Sequence, residues 1–370
     1  MTGGPVQDQT ITLVLAGGDG EKLQPLTYDR PKALVPFGGL FRILDFAVSS
    51  VLNSQLRHIH VLPLSMGALV QEYIREGWPI LSADFRWDQG EDLTCHSPAT
   101  GSHYQGTADA VFRNLSLVEK SRAKHILIVP GDQIHLMDYA RLLRHHVESQ
   151  TDLTTAVQNV YVFNRETLIS ALKKHVAAGD HSCFEDHIVP MIASTGRATF
   201  YNCNEYVRTI STLDDYHAAS MDFANDRTGF DAYSGPASVR TLSGPRQLQQ
   251  SRYSVNSKVA LGARLISCKV WSSVISAGVR VAGGTEIENS VILNGSTIGS
   301  GSRLRNVIVP EKVTIPPGTQ IGFDVEADRA RYLVTAEGIV VVSSSGRSKH
   351  QYIQRRCARV ATKAHILASR

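Results

Sequence analysis

Two rhythms in this 370-residue sequence predict an α/β domain followed by a left-handed parallel β-helix. From residue 11 to about 225, short apolar runs alternate with amphipathic stretches, the pattern of a doubly wound sheet with helices on both faces. After about residue 254, aliphatic residues recur every six positions, so that each short strand forms one side of a coil. A third observation points to a ligand: the first apolar run ends in Ala16-Gly17-Gly18-Asp19-Gly20. Open α/β sheets bind ligands at the carboxyl ends of their strands.

Taken in order, residues 11–15 (ITLVL) read as a strand buried on both faces. Gly17, Gly18 and Gly20 lack the Cβ atoms that would hold phosphate oxygens away from backbone N–H groups, and they admit positive φ. Lys22 and Lys32 add positive charge. A tight strand-to-helix connection would use the same glycines, so the turn alone leaves both readings open. Residues 58–64 and 126–130 are the next buried strands, with helical stretches at 66–75 and 107–120. Gly131-Asp132 stands at the end of the 126–130 strand, where it can converge with the glycine turn on one site.

Residues 226–253, rich in Gly, Ser, Pro and Arg, read as a linker, so the first domain is expected at 1–225. Beyond the linker, Ile275, Val281 and Ile287 are spaced by six, as are Ile292, Ile298 and Leu304, and then Val309, Ile315 and Ile321. Slips of five separate the three sets. The β-helix is expected over 254–345. Its strand faces and coil ends need covering, which predicts an oligomer.

The length suits two domains. No apolar run is long enough to span a bilayer, and the first ten residues, MTGGPVQDQT, lack signal-peptide character, so a cytoplasmic protein with no membrane association is expected. Five cysteines without CxxC spacing argue against a disulfide framework or a zinc site. The formal charge of +4 belongs to the tail. Residues 346–370 carry seven basic side chains and no acidic one, leaving −3 on the rest. Such a tail reads as a solvated extension, and without a nucleic-acid motif no DNA or RNA partner is expected.

The string from residue 11 to 54 resembles the signature of bacterial ADP-glucose pyrophosphorylases. In that family a strand runs into GGxGxRLxxLT, then a lysine, then FGGxxRxIDFxLSN. Gly17, Gly18, Gly20, Leu23, Leu26-Thr27, Lys32, Phe37-Gly38-Gly39, Arg42 and Asp45-Phe46 fall in register with it. HYQGTADAVFRN (103–114) is similar to the family's WYRGTADAV segment, and VPGDQIHLMDY (129–139) to its AGDxIYxxDY segment. Residues 160–168 and 327–342 extend the resemblance over nearly the whole chain. It implies a Rossmann-like nucleotidyltransferase domain and the reaction of ATP with glucose 1-phosphate to give ADP-glucose and pyrophosphate in glycogen synthesis. By the same resemblance, Gly17, Gly18, Gly20, Lys32, Tyr104, Gly106 and Thr107 face the nucleotide, Lys22 stands at the pyrophosphate clamp, and Asp132 holds Mg2+.

Several departures cut against turnover. Lys22 replaces the clamping arginine and loses its bidentate fork. The family's RDVGT reads RTIST at 208–212, so Thr209 stands where the second magnesium carboxylate is expected. Relatives place several dozen residues, including the lysine that grips the sugar phosphate, between strands resembling 153–157 and 160–163. Here only Gln158 and Asn159 separate them. Cys183 replaces an aspartate of the sugar-side segment DFGKDxIP. Losing one preorganised electrostatic group costs about 100 to 1000-fold in rate. The leading expectation is a catalytically impaired regulatory or structural subunit, allosteric in character, that keeps a site for ATP or a related nucleotide in a homo-oligomer or beside a catalytic paralogue. An active glucose-1-phosphate adenylyltransferase and a stand-alone nucleotide-sensing module are the alternatives.

Overall fold

The computed structural model of the protein describes residues 5–85, 92–98, 104–157, 159–177, 183–203, 205–233, 238–241 and 248–342. The basic tail, His103 and Gln158 lie outside them. The described residues form two compact units that interleave along the chain. The first takes 5–37, 41–211 and 228–241, and the second takes 38–40, 212–227 and 248–342.

The first unit is built on β1 (Thr10–Ala16), α1 (Ile43–Asn53), β2 (His58–Pro63), α2 (Gly67–Phe85), β3 (Asp92–Cys95), α3 (Thr107–Arg113), α4 (Leu115–Lys120) and β4 (His125–Pro130). It continues through β5 (Gln133–His135), α5 (Tyr139–Ser149), β6 (Leu153–Ala156), β7 (Val160–Asn164), α6 (Arg165–Ala177), α7 (Val189–Ala193), β8 (Ala198–Phe200) and β9 (Val207–Thr209). Seven strands form one sheet in the order β8-β6-β7-β4-β1-β2-β3. β1 lies parallel between β2 and β4, whereas β7 runs antiparallel to both β4 and β6.

Every residue of β1 is buried. Its alternate side chains point to opposite faces, and each face has its own core. Val14 joins α1, α2 and α5 through Val48, Val70 and Leu142. Ile11, Leu13 and Leu15 join α3, α4 and α6 through Val111, Val118 and Leu172. Each such burial stabilises by about 1.5–3 kcal/mol, which is why these strands read as continuous apolar runs.

The second unit is the β-helix, whose inward aliphatics stack coil on coil: Val270, Ile287, Leu304 and Ile321 on one side, Val281, Ile298 and Ile315 on another. Within the five-residue spacings, Ser272, Asn289 and Asn306 adopt φ of +46°, +49° and +55° at the same corner of successive coils. Asn suits that conformation, and Asn289 Nδ2 donates to Asn306 Oδ1 across the coils at 2.6 Å.

The composition-based boundary at 225/226 differs from the observed one, because α8 (Leu213–Ala224) belongs to the β-helix unit and 228–241 to the first. One side of the β-helix is apolar on its outer surface too: Val274, Val291, Ile308 and Val341 align in register and are buried. α8 packs there, with His217 Nε2 2.7 Å from the Asn289 carbonyl oxygen. Composition does not reveal which unit a helix covers. Among the described residues no helix is long and apolar enough to cross a membrane.

Three buried titratable groups tie the first unit to pH. Burial pushes His135 down to about 4, and His146 likewise to about 4 although Asn164 partly offsets it, while burial pushes Asp45 up to about 6. Between roughly pH 6 and 4 the unfolded chain protonates both histidines and the folded chain does not; the folded chain instead keeps the Asp45 proton that the unfolded chain has lost. The net difference is one proton more on the unfolded chain. These groups should therefore lower stability by about 1.4 kcal/mol per unit of falling pH. Urea unfolding of wild type and His146→Gln across this range should differ in pH slope by about one proton, with the variant less destabilised by falling pH.

Candidate functional site

Parallel pairing sends the carboxyl ends of β1, β2, β3 and β4 to one edge of the sheet. Immediately after β1, Gly17 takes φ +48° and Gly20 φ +66°. Thr27, which sequence reasoning assigned no role, pins this turn by donating from Oγ1 to the Gly20 carbonyl at 2.7 Å. A Cβ on Gly20 would meet Thr27 Cγ2 at 2.9 Å, and one on Gly17 would meet Asp132 Cβ at 3.3 Å. Both glycines are therefore required by the fold itself. Gly18 differs: it lies outside the left-handed region, and a Cβ there meets nothing within 4 Å.

Lys32 opens a three-residue 3-10 turn, Lys32–Leu34, and is 8% exposed. Its Nζ donates to Asp132 Oδ2 at 2.7 Å, a charge-assisted bond across 100 residues of sequence. Asp132 follows Gly131, whose N–H donates to the Leu15 carbonyl at 2.7 Å and so ties the end of β4 to the end of β1. Thr209 ends β9, which pairs antiparallel with β5 and puts Thr209 opposite Gln133. Gln133 Nε2 donates to Thr209 Oγ1 at 3.2 Å, and Ile210 N donates to the Asp132 carbonyl at 3.3 Å. Gly17, Gly20, Lys32, Asp132 and Thr209 thus come together. Gln133 was missed, since only the pairing of two distant strands gives it a part.

Lys22 lies exposed on the 3-10 turn Glu21–Leu23. Tyr104, Gly106 and Thr107 form a separate cluster on the same sheet edge. The half-buried Tyr104 hydroxyl donates to the His96 carbonyl at 3.2 Å and accepts from Asn114 Nδ2 at 2.8 Å, so its polar end serves the fold. Gly106 caps α3, and Thr107 Oγ1 accepts from Phe184 N at 3.1 Å, which links this loop to the Cys183 segment. Asp109 turns back to the Gln105 N–H and to Arg113, and Asp45 accepts from Arg42 N and the Tyr73 hydroxyl. These two carboxylates of the recognised motifs are spent on local structure.

The donor set does not suit a hard divalent cation. Asp132 is held in an ion pair, Thr209 offers a neutral hydroxyl that already accepts from Gln133, and no group of three His, Cys, Asp or Glu able to hold a metal occurs among the described residues.

A nucleotidyl transferase family model matches residues 11–161, and a GlmU-like C-terminal hexapeptide model matches 244–342. Curated glucose-1-phosphate adenylyltransferases from Vibrio cholerae and Vibrio parahaemolyticus are 30% and 32% identical, covering 91% and 90% of this chain and 98% of each relative. One from Vibrio vulnificus is 33% identical over 90% of the chain and 98% of its own length. The chain belongs to the glucose-1-phosphate adenylyltransferase family. Its alignments run to 402 and 403 columns against a 370-residue chain, so these adenylyltransferase relatives carry segments that this member lacks.

The glycines separate by experiment. Gly20→Ala should cost roughly 1–3 kcal/mol in denaturant unfolding, from left-handed strain and the Thr27 contact. Gly18→Ala should stay within about 0.5 kcal/mol of wild type. Any loss of ligand binding in the Gly18 variant then reports contact with the ligand and not a damaged turn.

Proposed function

We propose that this chain is a nucleotide-binding member of the family that has lost ADP-glucose synthesis and acts as a regulatory or structural subunit of glycogen synthesis, in an oligomer with a catalytic paralogue. The observation that carries this reading is Thr209. It lies opposite Gln133, the residue after Asp132, and offers a neutral hydroxyl where an in-line transfer of ATP to a sugar phosphate calls for a second charged metal ligand.

The sugar side supports the same reading. β6 and β7 pair directly as an antiparallel hairpin, Ala156 opposite Val160, with residues 157–159 as the whole connection and Asn159 at φ +70°. A segment that would reach over the sugar phosphate has no place in so short a turn. Lys22, Lys32 and the backbone N–H groups of the glycine turn keep positive character for a polyphosphate.

The purified chain should form no measurable ADP-glucose from ATP, glucose 1-phosphate and magnesium. In calorimetry ATP should bind with a dissociation constant between about 1 μM and 1 mM, and glucose 1-phosphate should give no heat. Turnover approaching about 10 per second, or tight glucose 1-phosphate binding, would overturn the reading.

A further inference from the structure

We propose that nucleotide binding at this site is independent of divalent metal, with the Lys32 ammonium and the backbone N–H groups of the glycine turn holding the triphosphate. The inference rests on the reading of the glycine turn as a nucleotide site.

Three observations carry it. The first is restraint. Lys32 is 8% exposed, its turn neighbours Ala33 and Leu34 are buried, and its Cβ lies 3.2 Å from a Cβ built on Gly20 and 3.6 Å from one built on Gly17. The stem is confined on the side of the turn, and Nζ ends 2.7 Å from Asp132 Oδ2.

The second is charge balance. Lys32 and Asp132 sum to zero and Thr209 adds nothing, so a dication placed here would leave the protein groups strongly positive and would face the ammonium across a single carboxylate. A carboxylate at 209 would lower that sum by one charge and supply a second anionic ligand. The third is coordination. Thr209 Oγ1 already accepts from Gln133 Nε2 at 3.2 Å, and the described residues hold no three-ligand cluster. Magnesium demands near-ideal octahedral oxygen geometry and dehydrates reluctantly. An anionic triphosphate needs only the fixed ammonium and the turn's N–H groups.

ATP titrations of the full chain, in excess EDTA and in excess magnesium chloride, test this directly. The two dissociation constants should agree within about threefold. Binding at least about tenfold tighter with magnesium overturns the metal-independence and leaves the nucleotide reading intact. Absence of ATP binding under both conditions overturns the nucleotide reading and this inference with it.

Manganese supplies a readout free of nucleotide. In electron paramagnetic resonance, wild-type chain should leave the free Mn2+ signal undiminished, whereas Lys32→Met/Thr209→Asp, which frees one carboxylate and adds another, should deplete it. Depletion by wild type that disappears in Asp132→Asn overturns the proposal. Lys32→Met alone, checked for folding by its melting curve, should weaken ATP binding in EDTA by about tenfold or more.

Discussion

The parallel pairing of β1 between β2 and β4 is the constraint from which the rest of the first unit follows. It needs a strand buried on both faces, which the residues of β1 supply, and it delivers the ends of β1 and β4 to the same place. The approach there is close. A Cβ on Gly131 would lie 3.0 Å from the Leu15 carbonyl, 3.1 Å from Ala16 Cα and 3.1 Å from Leu44 Cδ1. Asp132 therefore starts from a backbone already pressed against the glycine turn, and its ion pair with Lys32 is a consequence of strand packing and not of chance surface encounter.

In the β-helix unit, repetition does the equivalent work. Every coil presents its inward aliphatic to the same column, and the three sides then diverge according to what they present outward. One side is apolar and takes α8. Another carries Lys269, Glu286 and Arg303 in one column and Glu288 and Arg305 in the next, with both arginines over the Phe323 ring at 4.6 and 4.8 Å. Exposed pairs of this kind contribute little individually, so the stability of the unit rests on its aliphatic ladder. The charges keep that side hydrated.

Chemically, the site holds one carboxylate, Asp132, paired with the Lys32 ammonium, and a neutral hydroxyl at Thr209 that accepts from Gln133. A fixed ammonium attracts polyphosphate oxygens, whereas a neutral hydroxyl is a weak ligand for a hard divalent cation. β6 and β7 pair with Ala156 opposite Val160, so the connection between them is short.

Sequence by itself determined what is local and periodic. The apolar run of β1, the glycine turn behind it and the six-residue ladder are set by backbone sterics and by the burial of alternate side chains, so they are legible without coordinates. Motif register likewise singled out Lys32, Asp132 and Thr209, and the family is shown by similarity along most of the chain. Only the tertiary structure decided what depends on pairs distant in sequence. It joined Lys32 to Asp132 across 100 residues and Gln133 to Thr209 across 76. It assigned α8 to the β-helix, spent Asp45, Asp109 and the Tyr104 hydroxyl on local bonds, and distinguished Gly18, with open space beside it, from Gly17 and Gly20. Proximity of that kind is a property of sheet order and strand register, and a residue's neighbours along the chain carry no record of it.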